Sequence, residues 1–290
     1  MFEAEFMRNA LLAGTFIALA CGLSGYFLVL RGQVFAGDAL SHVAFPGALA
    51  AAAAGLDERV GLFAVTVLFG ALIGALGRRS RARDTTIGIV FTFVLGLGVF
   101  FAALLASGAG GGSGIQVAHT LFGSIFGLGH GEALLAGAIA LAVVGFTALI
   151  ARPLLFASID PAAALARGVP VDMLNIGFLV ALGVIAAEAT QALGALLLLG
   201  LLAAPAGAAH RLTSSPLAGM LLAGALSLLA MWAGLCASYE IPALPPSSAI
   251  VLIAASIYLL AGVVAGARRR AARRGAVALA PATLADKIGA

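Results

Sequence analysis

The chain has 290 residues, of which 62% are hydrophobic, 10% are charged and 38 are glycine, and its mean hydropathy is +1.14. Soluble domains carry about 25% charged residues, so this composition excludes a chain that covers itself with a water-facing surface. The polar residues are clustered and leave apolar runs of roughly 18–23 residues, enough to span about 30 Å of hydrocarbon as helix. The sequence therefore predicts an all-α, polytopic membrane protein.

In chain order, the apolar runs predict about nine transmembrane helices, with the N-terminus outside and the C-terminus inside. Short loops rich in Lys and Arg stay in the cytoplasm, and this orientation places 14 of the 16 basic residues inside. Only Arg8 and Arg59 then lie outside. The net charge of +4 reflects topology and anionic headgroups, so no nucleic acid partner is implied. The predicted spans are residues 9–30, 34–55, 60–77, 85–106, 132–151, 172–190, 192–209, 217–237 and 247–266.

Two parts of the chain do not fit a plain series of spans. Residues 115–129 are short and glycine-rich, and we predict a re-entrant segment on the outer side, which is tolerated where it is buried in protein or lines a cavity. Residues 268–290 are predicted to form a basic, disordered cytoplasmic tail after a transmembrane domain over 1–267. The single lysine, Lys287, lies in this tail, so no phosphate-binding Gly-Lys-Ser/Thr loop is present and the chain does not hydrolyse ATP by itself.

The second predicted helix carries two ionisable residues, Asp38 and His42, in the sequence GDALSHVAFPG. Four residues apart on a helix, they share one face and lie about 6 Å apart along the axis. A carboxylate and an imidazole form half of a site for Zn²⁺ or Mn²⁺, and two such helices from a dimer would supply four ligands. Pro46, one turn further on, removes a backbone hydrogen bond and allows a bend. Alternatively, Asp38 and His42 only neutralise each other or bond to neighbouring backbone.

Other polar residues give weaker indications. Glu188 and Gln191 fall at the outer junction of predicted helices six and seven, where a solvated turn is the simpler interpretation and a metal ligand in an outer vestibule the alternative. His119 lies in the re-entrant segment and is a second candidate ligand that passes metal inward, whereas His130 is predicted to be exposed. His210 precedes an arginine at a helix C-terminus, where compensation of the helix dipole competes with a role in metal exit.

The loop FASIDPAAALARGVPVDML, at residues 156–174, predicts a short cytoplasmic helix. Asp160 and Pro161 are typical of a helix start, as N-cap and first helical residue. Gly168 and Pro170 are typical of its end. A helix of about two turns outside the membrane suits contact with a soluble partner, although an ordinary interhelical loop could also contain it.

Six strings resemble, in the same order, the permease subunits of the zinc, manganese and iron(II) ABC importers. The resemblance covers roughly residues 8–265 and implies a homodimeric subunit of the bacterial plasma (inner) membrane. It also implies two partners, a cytosolic ATP-binding subunit and an extracytoplasmic metal-binding protein. The strings are VLRGQVFAGDALSHVAFPGALAA at 29–51, RRSRARDTTIGIVFT at 78–92, LFGSIFG at 121–127, IDPAAALARGVPV at 159–171, ALGALLLLGLLAAPAGAAHRLT at 192–213 and SYEIPALPPSSAIVL at 238–252.

Carried over by residue, the resemblance assigns two sites. It implies that Asp38 and His42 coordinate metal within the membrane. It also implies that the loop at residues 159–169 contacts the ATPase, through Asp160, Pro161, Arg167 and Gly168.

These observations favour the permease of an ATP-driven divalent-metal importer. Its cargo is the transported metal, zinc with a slight preference over manganese, and no permanently bound cofactor is expected. Two alternatives stay open at this point. A proton-coupled carrier would use Asp38 and Glu188 as a relay and would need no ATPase, and a membrane scaffold or enzyme subunit would not transport at all.

Overall fold

The computed structural model describes residues 4–76, 83–107, 123–195, 198–241 and 243–288, and all regular structure in these ranges is helical. The expected all-α class is therefore confirmed. A short 3-10 turn, Ile125–Gly127, precedes the fifth helix. The α-helices are α1 (Glu5–Leu30), α2 (Val34–Ala53), α3 (Glu58–Leu76), α4 (Arg83–Ser107), α5 (His130–Ile159), α6 (Pro161–Ala166), α7 (Val171–Leu193), α8 (Leu198–Leu212), α9 (Pro216–Glu240) and α10 (Pro246–Ile288).

Within the described ranges, eight helices are long and apolar enough to cross a membrane. The expected span at 192–209 differs, because α7 continues to Leu193 and ends at Gly194, whose φ is +87°. Helix α8 then has 15 residues, a length of about 22 Å. It still lies inside the bundle, in contact with α1, α9 and α10.

The segment predicted to be re-entrant is described only at its end. Residues 108–122, which include His119, lie outside the described residues. In the described part, Ile125 is buried and the Ser124 amide donates a hydrogen bond to the Gln191 carbonyl at 3.2 Å. The end of this segment therefore packs against the end of α7.

The last helix extends beyond the predicted membrane domain. Its membrane-spanning part, judged by length and composition, ends at Arg268, and α10 continues to Ile288 through the stretch predicted to be a tail. The division of the chain at residue 268 stays a prediction.

The helices form two groups around a shared interior. Helix α1 is apolar on all sides and buried, as expected of a central helix, and it contacts α5, α8 and α9. Helix α2 contacts α3, α4 and α7. The two groups meet where α5 and α1 contact α7 and where α2 contacts α8.

Successive long helices run in opposite directions, so the bundle has two ends. One end, which we call the arginine-rich end, carries Arg31, Arg167 and Arg211. There Asn175 accepts a hydrogen bond from Arg31 Nη2 at 2.7 Å and donates one to the Gly74 carbonyl at 2.8 Å, which ties α1, α7 and α3 together. The other end, the opposite end, carries the α2–α3 turn. Which end faces the cytoplasm stays a prediction.

Glycines bring α3 and α7 into backbone contact. A Cβ atom on Gly70 would lie 2.5 Å from the Leu179 carbonyl oxygen, and one on Gly74 would lie 2.7 Å from the Ile176 Cα. Small residues hold membrane helices together because lipid supplies no hydrophobic drive between helices, and close van der Waals packing takes its place.

We expect Gly70→Val to lower the free energy of unfolding by about 1–3 kcal/mol, because the added side chain forces α3 away from α7. Thermal unfolding in detergent micelles measures the effect. Gly96→Val is the matched control, since a Cβ on Gly96 meets nothing within 4 Å, and its effect should stay within about 0.5 kcal/mol. Equal losses for the two variants would contradict the proposed role of this contact.

Candidate metal site

Helix α2 leaves one narrow stripe of its surface open. Between residues 35 and 45 every side chain is buried except those of Phe35, Asp38, His42 and Phe45. These positions follow the three- and four-residue spacing of a single helix face. The two ionisable residues of α2 therefore lie on the face that the described part of the chain leaves partly exposed.

Asp38 and His42 lie side by side on this stripe. His42 Nε2 is 3.6 Å from Asp38 Oδ1, and the two side chains are 24% and 31% exposed. The expectation that they share one helix face is confirmed. At 3.6 Å the pair does not form a hydrogen bond, and neither side chain is hydrogen-bonded to any residue that the structure describes. The carboxylate and the imidazole thus keep lone pairs available to a cation.

Helix α4 forms one wall of this site. The Phe91 ring centroid is 5.9 Å from that of His42, and Gly98 lies against the Pro46 ring, where a Cβ would come within 2.8 Å of Pro46 Cγ. Pro46 lies inside α2 and has no N–H group, so the His42 carbonyl lacks its usual partner four residues along the helix. The site therefore lies next to a missing backbone hydrogen bond in α2.

The described residues of one copy of the chain supply only part of a coordination shell. Among the residues described, no group of three or more His, Cys, Asp and Glu side chains is placed to hold a metal ion. Zn²⁺ takes about four ligands, and harder cations take about six. Asp38 and His42 would therefore need further ligands, from solvent, from another chain or from residues outside the described ranges.

Glu188 is not in a solvated turn, so that interpretation was wrong. Its side chain is 1% exposed inside α7, and its Oε1 accepts a hydrogen bond from Arg59 Nη2 at 2.8 Å. In the described part of the chain, Oε2 has no hydrogen-bond partner. One weak signal of this pair is visible in the sequence, since Arg59 is one of two basic residues expected on the outer side. A metal-binding role for Glu188 stays a prediction.

The two remaining described histidines have local partners. His130 begins α5, is exposed as expected, and has Nδ1 3.2 Å from Asn9 Oδ1. His210 lies in the last turn of α8, where its ring stacks on Tyr26 at 4.3 Å and its Nε2 is 3.1 Å from the Tyr26 carbonyl oxygen. His210 therefore joins α8 to α1, and among the described residues it belongs to no group of three or more His, Cys, Asp and Glu side chains that could hold a metal ion.

The short helix predicted at residues 159–169 is present as α6. Asp160 caps it, since Oδ1 accepts a hydrogen bond from the Ala163 amide at 2.9 Å, and Pro161 is its first residue. Gly168, at φ +76°, ends it. The Arg167 guanidinium lies 5.5 Å above the Phe156 ring, which fixes α6 against the end of α5.

The surface around α6 is exposed and apolar at the arginine-rich end of the bundle. Ile159, Leu165 and Met173 are 68%, 46% and 73% exposed. Exposed apolar side chains beside charged ones are typical of a surface that binds another protein. Contact with an ATPase at this surface stays a prediction.

Comparisons with known proteins agree with this architecture. The sequence profile described as "ABC 3 transport family" matches residues 3–265. The manganese transport system membrane protein MntC of Halalkalibacterium halodurans is 30% identical over 264 residues, which cover 90% of this chain and 88% of the relative. A probable iron transport system membrane protein of Haemophilus influenzae is 29% identical, with 89% of this chain and 93% of the relative covered. The structure of PsaBC from Streptococcus pneumoniae, in complex with Fab, superposes with a TM-score of 0.77 at 28% identity, covering 89% of this chain and 91% of that one.

Proposed function

Because the chain belongs to the ABC 3 transport family and is the permease of a bacterial metal-ion ABC importer, we propose that Asp38 and His42 bind the transported ion inside the membrane. The observation that carries this proposal is the placement of both side chains, 3.6 Å apart, on the single open stripe of α2. A charged pair facing lipid would be unfavourable, so the stripe needs a polar or protein neighbour.

A second copy of this chain is the neighbour that we propose. Two α2 helices that face each other along their open stripes would place two carboxylates and two imidazoles around one ion. That donor set satisfies the four ligands that Zn²⁺ takes and leaves water to complete the shell of Mn²⁺. The same contact would remove both ionisable pairs from lipid.

We propose manganese as the ion carried in cells. Mixed oxygen and nitrogen donors suit both manganese and zinc, so the expected preference for zinc rests on donor chemistry alone. The names of the relatives favour manganese, with iron as the second candidate. Binding requires ionised Asp38 and neutral His42, so uptake should weaken in acid.

The proposed cycle uses both ends of the bundle. An extracytoplasmic binding protein delivers metal at the opposite end, and the ion moves to Asp38 and His42. A separate cytosolic ATPase binds around α6 at the arginine-rich end, and its ATP-driven closure moves α6 so that the two ends open alternately. This assignment adopts the N-out, C-in orientation expected from the arginine distribution.

Metal accumulation in cells that lack their own high-affinity uptake systems tests the proposal. The chain is co-expressed with its ATPase and binding protein, and manganese, zinc and iron(II) are supplied separately. Manganese accumulation that requires all three components supports the proposal. Uptake without the ATPase would instead support the proton-coupled carrier, and zinc accumulation alone would correct the substrate.

We expect Asp160→Ala to reduce uptake without weakening metal binding, because it removes the side chain that caps α6. Loss of an N-cap costs about 1 kcal/mol, enough to fray a helix of six residues. Transport and metal-stimulated ATP hydrolysis of the reconstituted complex are the measurements. Asp160→Ser is the control, because serine also caps helices and should retain most of the activity. Equal activity of Asp160→Ala and the wild type would show that contact with the ATPase does not depend on the capped helix α6.

A further inference from the structure

A groove of about 470 Å³ opens at the arginine-rich end, beside α10 and away from the metal site. Its floor is one face of α10, because the lining residues recur at three- and four-residue intervals along the helix. Arg211, near the end of α8, forms the facing wall. The floor consists of Leu259, Gly262, Val263, Gly266, Ala267 and Arg270.

Two glycines one turn apart create the space. A Cβ on Gly266 would meet no atom within 4 Å, so the groove is open above it. At Gly262 the missing side chain makes room for the Arg211 guanidinium, whose Nη1 lies where a Cβ would project. The groove therefore depends on glycine at both positions.

Arg211 is held in place without being neutralised. Its guanidinium lies 4.0 Å above the Tyr258 ring, and its Nη2 donates a hydrogen bond to the Tyr258 hydroxyl. Arg270 lines the same groove and is exposed. In the part of the chain that the structure describes, neither arginine forms a salt bridge with a carboxylate. Two cationic side chains that line one groove favour an anionic ligand there.

The groove changes character along its length. Leu259 and Val263, 65% and 70% exposed, lie within the membrane-spanning part of α10, which ends at Arg268. Arg270 lies just beyond that limit. Over three helical turns, the groove thus combines exposed apolar side chains with two cationic ones, Arg211 beside Gly262 and Arg270 beyond the span, as a phospholipid combines acyl chains with a phosphate.

We propose that this groove binds one anionic phospholipid. Its phosphate lies above Gly266 between Arg211 and Arg270, and an acyl chain follows Leu259 and Val263. A soluble anion would leave the apolar half of the groove uncovered. An acidic segment of a protein partner would have to enter the membrane-spanning part of α10, so lipid fits both halves better.

Native mass spectrometry of the full-length permease, purified with its ATPase, tests the proposal. Dioleoyl phosphatidylglycerol and dioleoyl phosphatidylcholine are the probes, and we expect one phosphatidylglycerol per copy to be retained preferentially. Arg211→Gln and Arg270→Gln should each weaken retention by about five-fold, which corresponds to roughly 1 kcal/mol per basic residue. Arg152→Gln, which removes an exposed arginine of α5 outside the groove, should have no effect. Equal retention of the two lipids would overturn the proposal.

A second variant tests the shape of the groove with both charges kept. Gly266→Leu should fill the open space and reduce retention of phosphatidylglycerol as much as either arginine variant. Gly145→Leu on α5 is the control, since a Cβ there also meets nothing within 4 Å. Unchanged retention by Gly266→Leu would overturn the proposal.

Two other results would also overturn the proposal. Displacement of the lipid by millimolar inorganic phosphate would assign the site to a free anion. Loss of the ATPase from the arginine variants, with lipid retention unchanged, would assign the groove to a protein contact.

Discussion

Replacing Asp38 or His42 with alanine is expected to abolish metal uptake while leaving the permease folded. Each variant removes one of two adjacent donors. Loss of a group that merely orients a metal ligand already costs about 10–100-fold in metal affinity or activity, and loss of the ligand itself should cost more. We therefore expect uptake to fall by about 100-fold or more. Both side chains are partly exposed and have no hydrogen bonds to described residues, so thermal unfolding should change little.

Ser41→Ala is the matched control for these variants. Ser41 lies on α2 between the two donors but faces the interior, where its hydroxyl donates a hydrogen bond to the Gly37 carbonyl at 2.9 Å. Uptake of labelled manganese and zinc should stay near the wild-type level in this variant. Wild-type uptake by Asp38→Ala, with the complete transporter expressed, would remove Asp38 from the translocation pathway.

Arg59→Ala is expected to destabilise the protein by about 3–5 kcal/mol, because it leaves Glu188 as an uncompensated charge in a buried position. The loss should exceed that of Arg8→Ala, which removes an exposed arginine from the same end of the bundle. Thermal unfolding in detergent, followed through the single tryptophan, Trp232, provides the measurement.

Replacing both partners distinguishes the cost of an unpaired buried charge from the contribution of the ion pair itself. In Arg59→Met combined with Glu188→Leu no charge is left without a partner, and apolar side chains of similar size fill the space. Buried ion pairs replaced in this way are often neutral or stabilising, so the double variant should regain most of the lost stability. If it were as unstable as Arg59→Ala, the ion pair itself would hold α3 to α7.

The features that were predicted correctly from the sequence depend on local helix geometry. Asp38 and His42 share a face because four residues make about one helical turn, whatever the surroundings. The cap of Asp160 on α6 likewise involves atoms only three residues apart. Both features follow from the backbone of one helix, and both appear where the residue pattern places them.

Features that depend on distant residues could not be predicted in this way. Glu188 pairs with Arg59 across 129 positions, and nothing near Glu188 in the sequence indicates that partner. The sequence predicts a break between α7 and α8 at residue 191, whereas α7 continues to Leu193 and ends at Gly194. Hydropathy measures whether a segment prefers lipid, and it does not determine the residue at which the backbone turns.

The Arg59–Glu188 pair also has a consequence for biosynthesis. The ribosome completes α3 long before α7, and at about 5–20 residues per second the intervening 129 positions take on the order of 10 s. During this interval Arg59 has no carboxylate from α7, and α2 and α3 enter the bilayer as a hairpin before α7, the main packing partner of α3, is present. The nascent chain therefore depends on the insertion machinery until Glu188 emerges, and substitutions in α7 that remove this partner would prolong the exposure of the hairpin to membrane quality-control proteases.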